Sequence, residues 1–228
     1  MAYAKNQTDV DDLQFLFGDL KLSTDFKGNS ETDVENLQAL IEDLTEENFH
    51  DTMRILLLMD LEAAIDYCVY LLFTFHKENP HFTDGYAELV SILNAKWPQL
   101  GEKLVRALIC DFKNGTVKES YDKCVTSASF LTHLIVREVI PQDVVNQLLE
   151  YLLTVPSGFT IWACFKLYRE EFRYFSLAED RLRKWLHDVN DLIRSGELVL
   201  ERNDLETFYD FQSYVDYTVE KNESMDFN

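Results

Sequence analysis

The chain has 228 residues, 46% of them hydrophobic, and a formal net charge of -20. That suits one sizeable core or one compact repeat array, and seven Gly with four Pro are too few for an all-β fold of many tight turns. No run of 18 uninterrupted apolar residues offers a membrane span, and the start, "MAYAKNQTDVDD", lacks the basic stretch and apolar block of a secretory signal.

Taken in order, residues 1–31 read as an acidic, flexible arm. Inside it, "DVDDLQFLFGDLKL" groups Leu13, Phe15, Leu16, Phe17, Leu20 and Leu22 among acids. Such a patch either folds back on the body or binds a partner. Residues 32–218 read as one helical repeat domain, and 219–228 as an acidic tail. Most of the negative charge sits at the ends. Residues 1–47 carry 12 acids against 3 bases, and 197–228 carry 9 against 2, which leaves the body at only -4. Acidic ends repel polyanions and favour solubility.

The spacing predicts helices over 33–43, 46–58, 61–77, 83–96, 99–112, 121–138, 142–154, 158–173, 177–194 and 203–218. Pro80 restricts the residue before it, so Asn79 ends the third run. Thr83 and Asp84 are suited to cap the fourth. There Tyr86, Leu89, Val90, Leu93 and Trp97 form one apolar stripe, which Pro98 closes. Leu100, Leu104, Leu108 and Phe112 mark the next stripe. Two amphipathic helices joined this tightly fold back as an antiparallel hairpin. Pro141 is placed to open the seventh run, and Leu182, Trp185, Leu186, Val189 and Ile193 stripe the ninth. "ELVLE" at 197–201 is the only strand candidate, and it is short.

Alternate helices start near 46, 83, 121, 158 and 203, in steps of 37, 38, 37 and 45. Helical hairpins of the HEAT type repeat every ~40–47 residues. A single pair cannot bury its own apolar face, so the pairs stack. The fold expected is all-α, a HEAT-like α-solenoid of about five antiparallel helical hairpins.

Catalytic chemistry finds little to rest on. The five histidines show no metal spacing, and no nucleophile elbow or phosphate-cradling Gly loop occurs. His133 reads as a satisfied helix histidine and the other four as exposed. Cys68, Cys110, Cys124 and Cys164 lack paired spacing and read as reduced core cysteines of an intracellular protein. Neither an enzyme nor a cofactor or metal site is expected. Tyr67 with Leu72 and Phe73 fits the Tyr, four residues, Leu, apolar pattern of a docking helix, but it lies in the most apolar run and reads as core.

The run from Leu44 to Asn94 resembles the middle domain of eukaryotic initiation factor 4G. A Leu-Thr-x-x-x-Phe opening (Leu44, Thr45, Phe49) is followed by an acid and a proline at Glu78 and Pro80. Then come Phe82, Tyr86, Ala87 and Leu93 leading a Leu-rich helix. "SFLTHLIVREVIPQDVVNQLLEYLL" is similar to the family's third helical pair, and "DLETFYDFQSYVDY" to its closing helix. The resemblance covers about 40–218 and is weaker after 155. It departs where relatives carry a Gly-Asn-Ile/Val-Arg-Phe type start, since this chain has Val125-Thr126-Ser127-Ala128-Ser129-Phe130.

The resemblance implies a non-catalytic scaffold or adaptor in mRNA translation or mRNA metabolism. It would bind a DEAD-box RNA helicase of the initiation factor 4A class and other translation or mRNA-processing proteins. A cytoplasmic location follows, with a nuclear one as the alternative. The alternative function is an RNA-binding adaptor of the cap-binding, splicing or nonsense-mediated decay branch. In relatives the opening lies at one tip of the array, which makes Leu44, Thr45, Glu46, Glu47 and Asn48 the expected helicase contact. Lys166, Arg169, Arg173, Arg181, Arg183 and Lys184 are the candidate contact for RNA or an acidic partner. A net charge of only +2 there makes RNA binding weak or indirect, and no membrane role is expected.

Overall fold

The computed structural model describes residues 31–225, apart from Gln142, Val155 and residues 171–178. The acidic arm therefore lies outside the described residues. Among those described there is no strand. The helices are α1 (Glu31–Glu42), α2 (Phe49–Leu58), α3 (Ile65–Glu78), α4 (Thr83–Lys96) and α5 (Pro98–Val117). They continue with α6 (Tyr121–Val136), α7 (Asp143–Leu153), α8 (Gly158–Glu170), α9 (Glu179–Ser195) and α10 (Arg202–Met225). Single 3-10 turns, Glu62–Ala64 and Pro80–Phe82, lead into α3 and α4.

Two compact units result. One takes residues up to 114 with 129–140, the other 115–128 with 141 onward. In the first, α1 packs on α2 and α3, and α4 packs on α2 and α3. In the second, α8 packs on α7 and α10, and α9 on α10. Contacts thus run both between neighbours (α1 with α2, α3 with α4, α7 with α8, α9 with α10) and between helices two apart (α1 with α3, α2 with α4, α8 with α10), which is how stacked hairpins bury a shared core. The fold class is all-α, a HEAT-like array of helical hairpins.

The stripes are buried as their spacing requires. Leu100, Leu104, Leu108 and Phe112 are fully buried, as are Leu89, Val90 and Leu93. Each such side chain contributes ~1.5–3 kcal/mol relative to exposure. Leu182, Leu186 and Val189 are buried on α9, with Trp185 and Ile193 half-buried at the edges of the stripe. Leu72 is buried and the Tyr67 hydroxyl donates to Gln38 Oε1 at 3.0 Å, so that run serves the core and presents no docking motif.

Several boundaries differ from expectation for local reasons. The α4 start at Thr83 is as predicted, but its cap is not. Thr83 Oγ1 donates backwards to the Pro80 carbonyl at 2.8 Å, and the 3-10 turn rather than a side chain introduces the helix. Pro141 lies before α7 rather than in it, its carbonyl accepting the Val144 amide at 3.2 Å. "ELVLE" is no strand. Gly196 (φ 78°) ends α9 in the left-handed region, and the Leu198 amide returns to the Leu192 carbonyl at 3.0 Å, so the segment caps a helix. The backbone of α10 runs to Met225, through most of the expected tail.

All four cysteines are buried, and none is in a disulfide. Burial pushes the Cys68 thiol up to about 12 and raises that of Cys164. Only a thiolate is a strong nucleophile, so a thiol reagent at pH 8 should leave Cys68 and Cys164 unmodified in the native chain. Full reaction should follow unfolding; rapid native labelling of either would contradict this packing.

His76 departs from the exposed reading. It is 0% exposed, with its ring 4.7 Å from that of Phe130. It sits on the face of α3 shared by Val69 and Leu72, four residues past Leu72, so helical spacing carries it inward.

Candidate partner-binding site

The expected contact lies where α1 gives way to α2. Leu44, one of the expected contacts, is 3% exposed and packs in the core, where it anchors the turn. An apolar side chain between two helices that both face inward is drawn the same way. Thr45, Glu46 and Glu47 are exposed, and Asn48 is half-buried.

Thr45 and Asn48 bond reciprocally. The Thr45 amide donates to Asn48 Oδ1 at 2.8 Å, and the Asn48 amide to Thr45 Oγ1 at 3.4 Å. Asn48 Nδ2 also donates to the Asp43 carbonyl at 2.7 Å, which closes the end of α1. This is the geometry of a capping box, but it organises a turn over 46–48, so α2 starts at Phe49 instead of 46. Removing the two bonds of the Asn48 side chain with Asn48→Ala should cost about 1 kcal/mol. Urea unfolding measures it, and an unchanged midpoint would show that the box carries no stability.

Beside this turn lies a recess of about 320 Å³, lined by Glu46, Phe49, His50, His81, Phe82, Asp84, Gly85 and Glu88. Phe49 and Phe82 supply aromatic surface, and Glu46, Asp84 and Glu88 supply negative charge. Asp84 is held from below. Arg137 Nη2 lies 2.7 Å and His133 Nδ1 2.9 Å from its Oδ1, and Arg137 reaches toward Glu88 Oε2 at 4.0 Å. The reading of His133 as satisfied fits this contact. One fixed Arg against three carboxylates leaves the recess acidic, a shape and charge that take a Lys or Arg side chain of a partner.

Asp84, Glu88, His50, His81 and Phe82 were not among the expected contacts, although a signal existed. Helices two apart in an array run the same way, so the starts of α2 and α4 share an edge. The regular spacing of helix starts placed Glu46 and Asp84 together.

The basic residues are less coherent. Lys166 and Arg169 lie on α8, half-buried, with the Arg169 guanidinium 5.4 Å from the Phe165 ring centroid. Arg183 on α9 has a buried Nε with no hydrogen-bond partner, and Lys184 is exposed. Arg173 and the side chain of Arg181 lie outside the described residues. Packing against an aromatic ring and partial burial turn two of these cations into the fold.

Among the described residues no group of His, Cys, Asp and Glu could hold a metal ion, and no helix is long and apolar enough to cross a membrane. A stacked all-α array with an acidic, aromatic-floored edge defines the class of helical-repeat scaffolds. Residues 34–194 match the MIF4G domain, and the chain belongs to the MIF4G domain family. It is similar to the pre-mRNA-splicing factor CWC22 of Yarrowia lipolytica, 35% identical over 115 residues, 47% of this chain and 12% of that one. The CWC22 homologs of Xenopus laevis and Homo sapiens are 29% and 28% identical over 167 residues, 70% of this chain and 19% and 17% of theirs. The chain matches a fifth or less of the length of these curated relatives.

Proposed function

We propose that the chain is a non-catalytic adaptor of pre-mRNA processing. It holds a DEAD-box RNA helicase of the 4A class through the edge formed by Thr45–Asn48 and the Asp84–Glu88 recess. The observation that carries this reading is the family membership over 34–194, joined to relatives that are pre-mRNA-splicing factors. Those names support the splicing branch, and with it a nuclear location, over the translation and cytoplasmic reading implied by the initiation factor resemblance. An acidic edge suits a partner lobe rich in Lys and Arg, and it disfavours direct RNA contact there.

The test is capture of a purified 4A-class helicase beside a filter assay with single-stranded RNA, each across a salt series. Helicase capture that weakens with salt, with little RNA retained, supports the adaptor. RNA retention without helicase capture would favour the RNA-binding alternative, carried by Lys166 and Lys184.

A further inference from the structure

A second groove, of about 540 Å³, lies between α1 and α2, lined by Asn36, Ala39, Leu40, Asp43, Asn48, Thr52, Ile55 and Met59. Its walls are mainly apolar, from Ala39, Leu40, Ile55 and Met59. Ile55 is 47% exposed, and Leu58, three residues further along the same helix, is 88% exposed. These two residues are large apolar groups on the described surface of α2, away from the stripe that faces the core.

Position in the array gives this face a meaning. Repeat arrays bury each pair against the next, so a terminal pair keeps an unpartnered apolar side unless something caps it. The α1–α2 pair is the first described pair, and no described element precedes it. We infer that the cap is the chain's own segment Leu13–Leu22, seated in the α1–α2 groove.

Its sequence fits the task. Leu13, Leu16, Phe17 and Leu20 fall at i, i+3, i+4 and i+7, the spacing of one helical stripe, with Asp11, Asp12 and Asp19 outside it. Grooves between helices take such anchors. The tether also fits. Eight residues separate Leu22 from Glu31, a reach of about 27 Å when extended. Leu40 lies only ~14 Å along α1 from Glu31. A tether this short holds the segment at an effective concentration on the order of millimolar, so weak anchors suffice. A second copy or a separate peptide would have to supply that concentration itself. The acids of the segment do not match Asp43, so the contact is carried by apolar anchors with the acids turned to solvent.

Hydrogen–deuterium exchange of the full chain, read by mass spectrometry at two protein concentrations, tests this. Amides of 13–22 should exchange at least tenfold slower than an unstructured chain, equally at both concentrations. Ile55→Glu should return them to the unstructured rate. Phe17→Ser with Leu20→Ser should in turn speed exchange of amides 52–59. This arm variant carries the test alone if Ile55→Glu unfolds α2. Exchange of 13–22 at the unstructured rate in the parent would overturn the proposal. So would protection that survives the arm variant. Protection that rises with concentration would assign the groove to a second copy and overturn it equally.

Discussion

Acidification from pH 7 to pH 4 should remove about 3 kcal/mol of folding stability through His76 alone. Burial lowers the His76 imidazole to about 4, opposed in part by its contact with the Leu72 carbonyl and aided by the nearby Lys77 charge. Nδ1 lies 3.2 Å from that carbonyl, while Nε2 is buried with no partner. The neutral ring fits this pocket and the imidazolium does not. In the unfolded chain the ring protonates near 6.5. Between 6.5 and 4 the unfolded state therefore binds more protons than the native one, and stability rises with pH in that window. The contribution is full above about 6.5 and lost as pH falls toward 4. Acidic residues also titrate there, so the comparison is with His76→Leu, which keeps the volume and cannot titrate. Urea unfolding at pH 4.5, 5.5 and 7 should show the parent losing stability faster than the variant. A stability difference that stays constant across the three pH values would mean that His76 is not held neutral.

Reversal of charge at the tip has the second large effect. Glu46→Lys with Glu47→Lys should weaken capture of the 4A-class helicase about tenfold or more at low salt. The loss should shrink as salt rises, because exposed charges more than ~10 Å apart are screened at 0.1 M. The melting temperature should change little. Both residues are exposed, and their favourable placement before α2 is worth only ~0.3–1 kcal/mol each. Asp210→Lys with Asp216→Lys, exposed on α10, alters net charge equally and should leave capture intact. Equal capture by the tip variant and the parent would remove this edge from the proposed site.

Much of the fold was legible because it rests on local spacing. The starts at Thr83, Tyr121 and Gly158 follow from apolar periodicity punctuated by Pro and Ser-Gly, and periodicity is a property of neighbours in sequence. The start of α2 was misplaced because Thr45-x-x-Asn48 reads equally as a helix cap or as a turn, and only the path of the chain from α1 decides. Ser157, read only as punctuation, proves to be a cap, since its Oγ lies 3.2 Å from the Thr160 amide. The site was half legible. Glu46, Glu47 and Thr45 are exposed and Asn48 is half-buried, while Leu44, named with them, and His76, read as exposed, are both buried. One hydrophobe or one imidazole carries no sign of its burial until its helix is oriented. Six cations in 19 positions suggest a surface, yet Arg169 and Arg183 spend their side chains on packing, which a charge count does not register.

The family match and the packed unit do not end together on the C-terminal side. The family match stops at residue 194, before α10 begins. Yet Phe208, Phe211 and Val215 of α10 are fully buried, and Phe211 stacks on Phe165 of α8 with ring centroids 5.2 Å apart. Gly158 belongs to this seam as well, since a Cβ there would lie 2.1 Å from Asp204 Oδ2. A chain ended at residue 194 would strip α8 of this cover and present Phe165 and Tyr168 to water. A stable piece of this unit therefore has to reach past residue 194 and include α10, the helix that packs on α8.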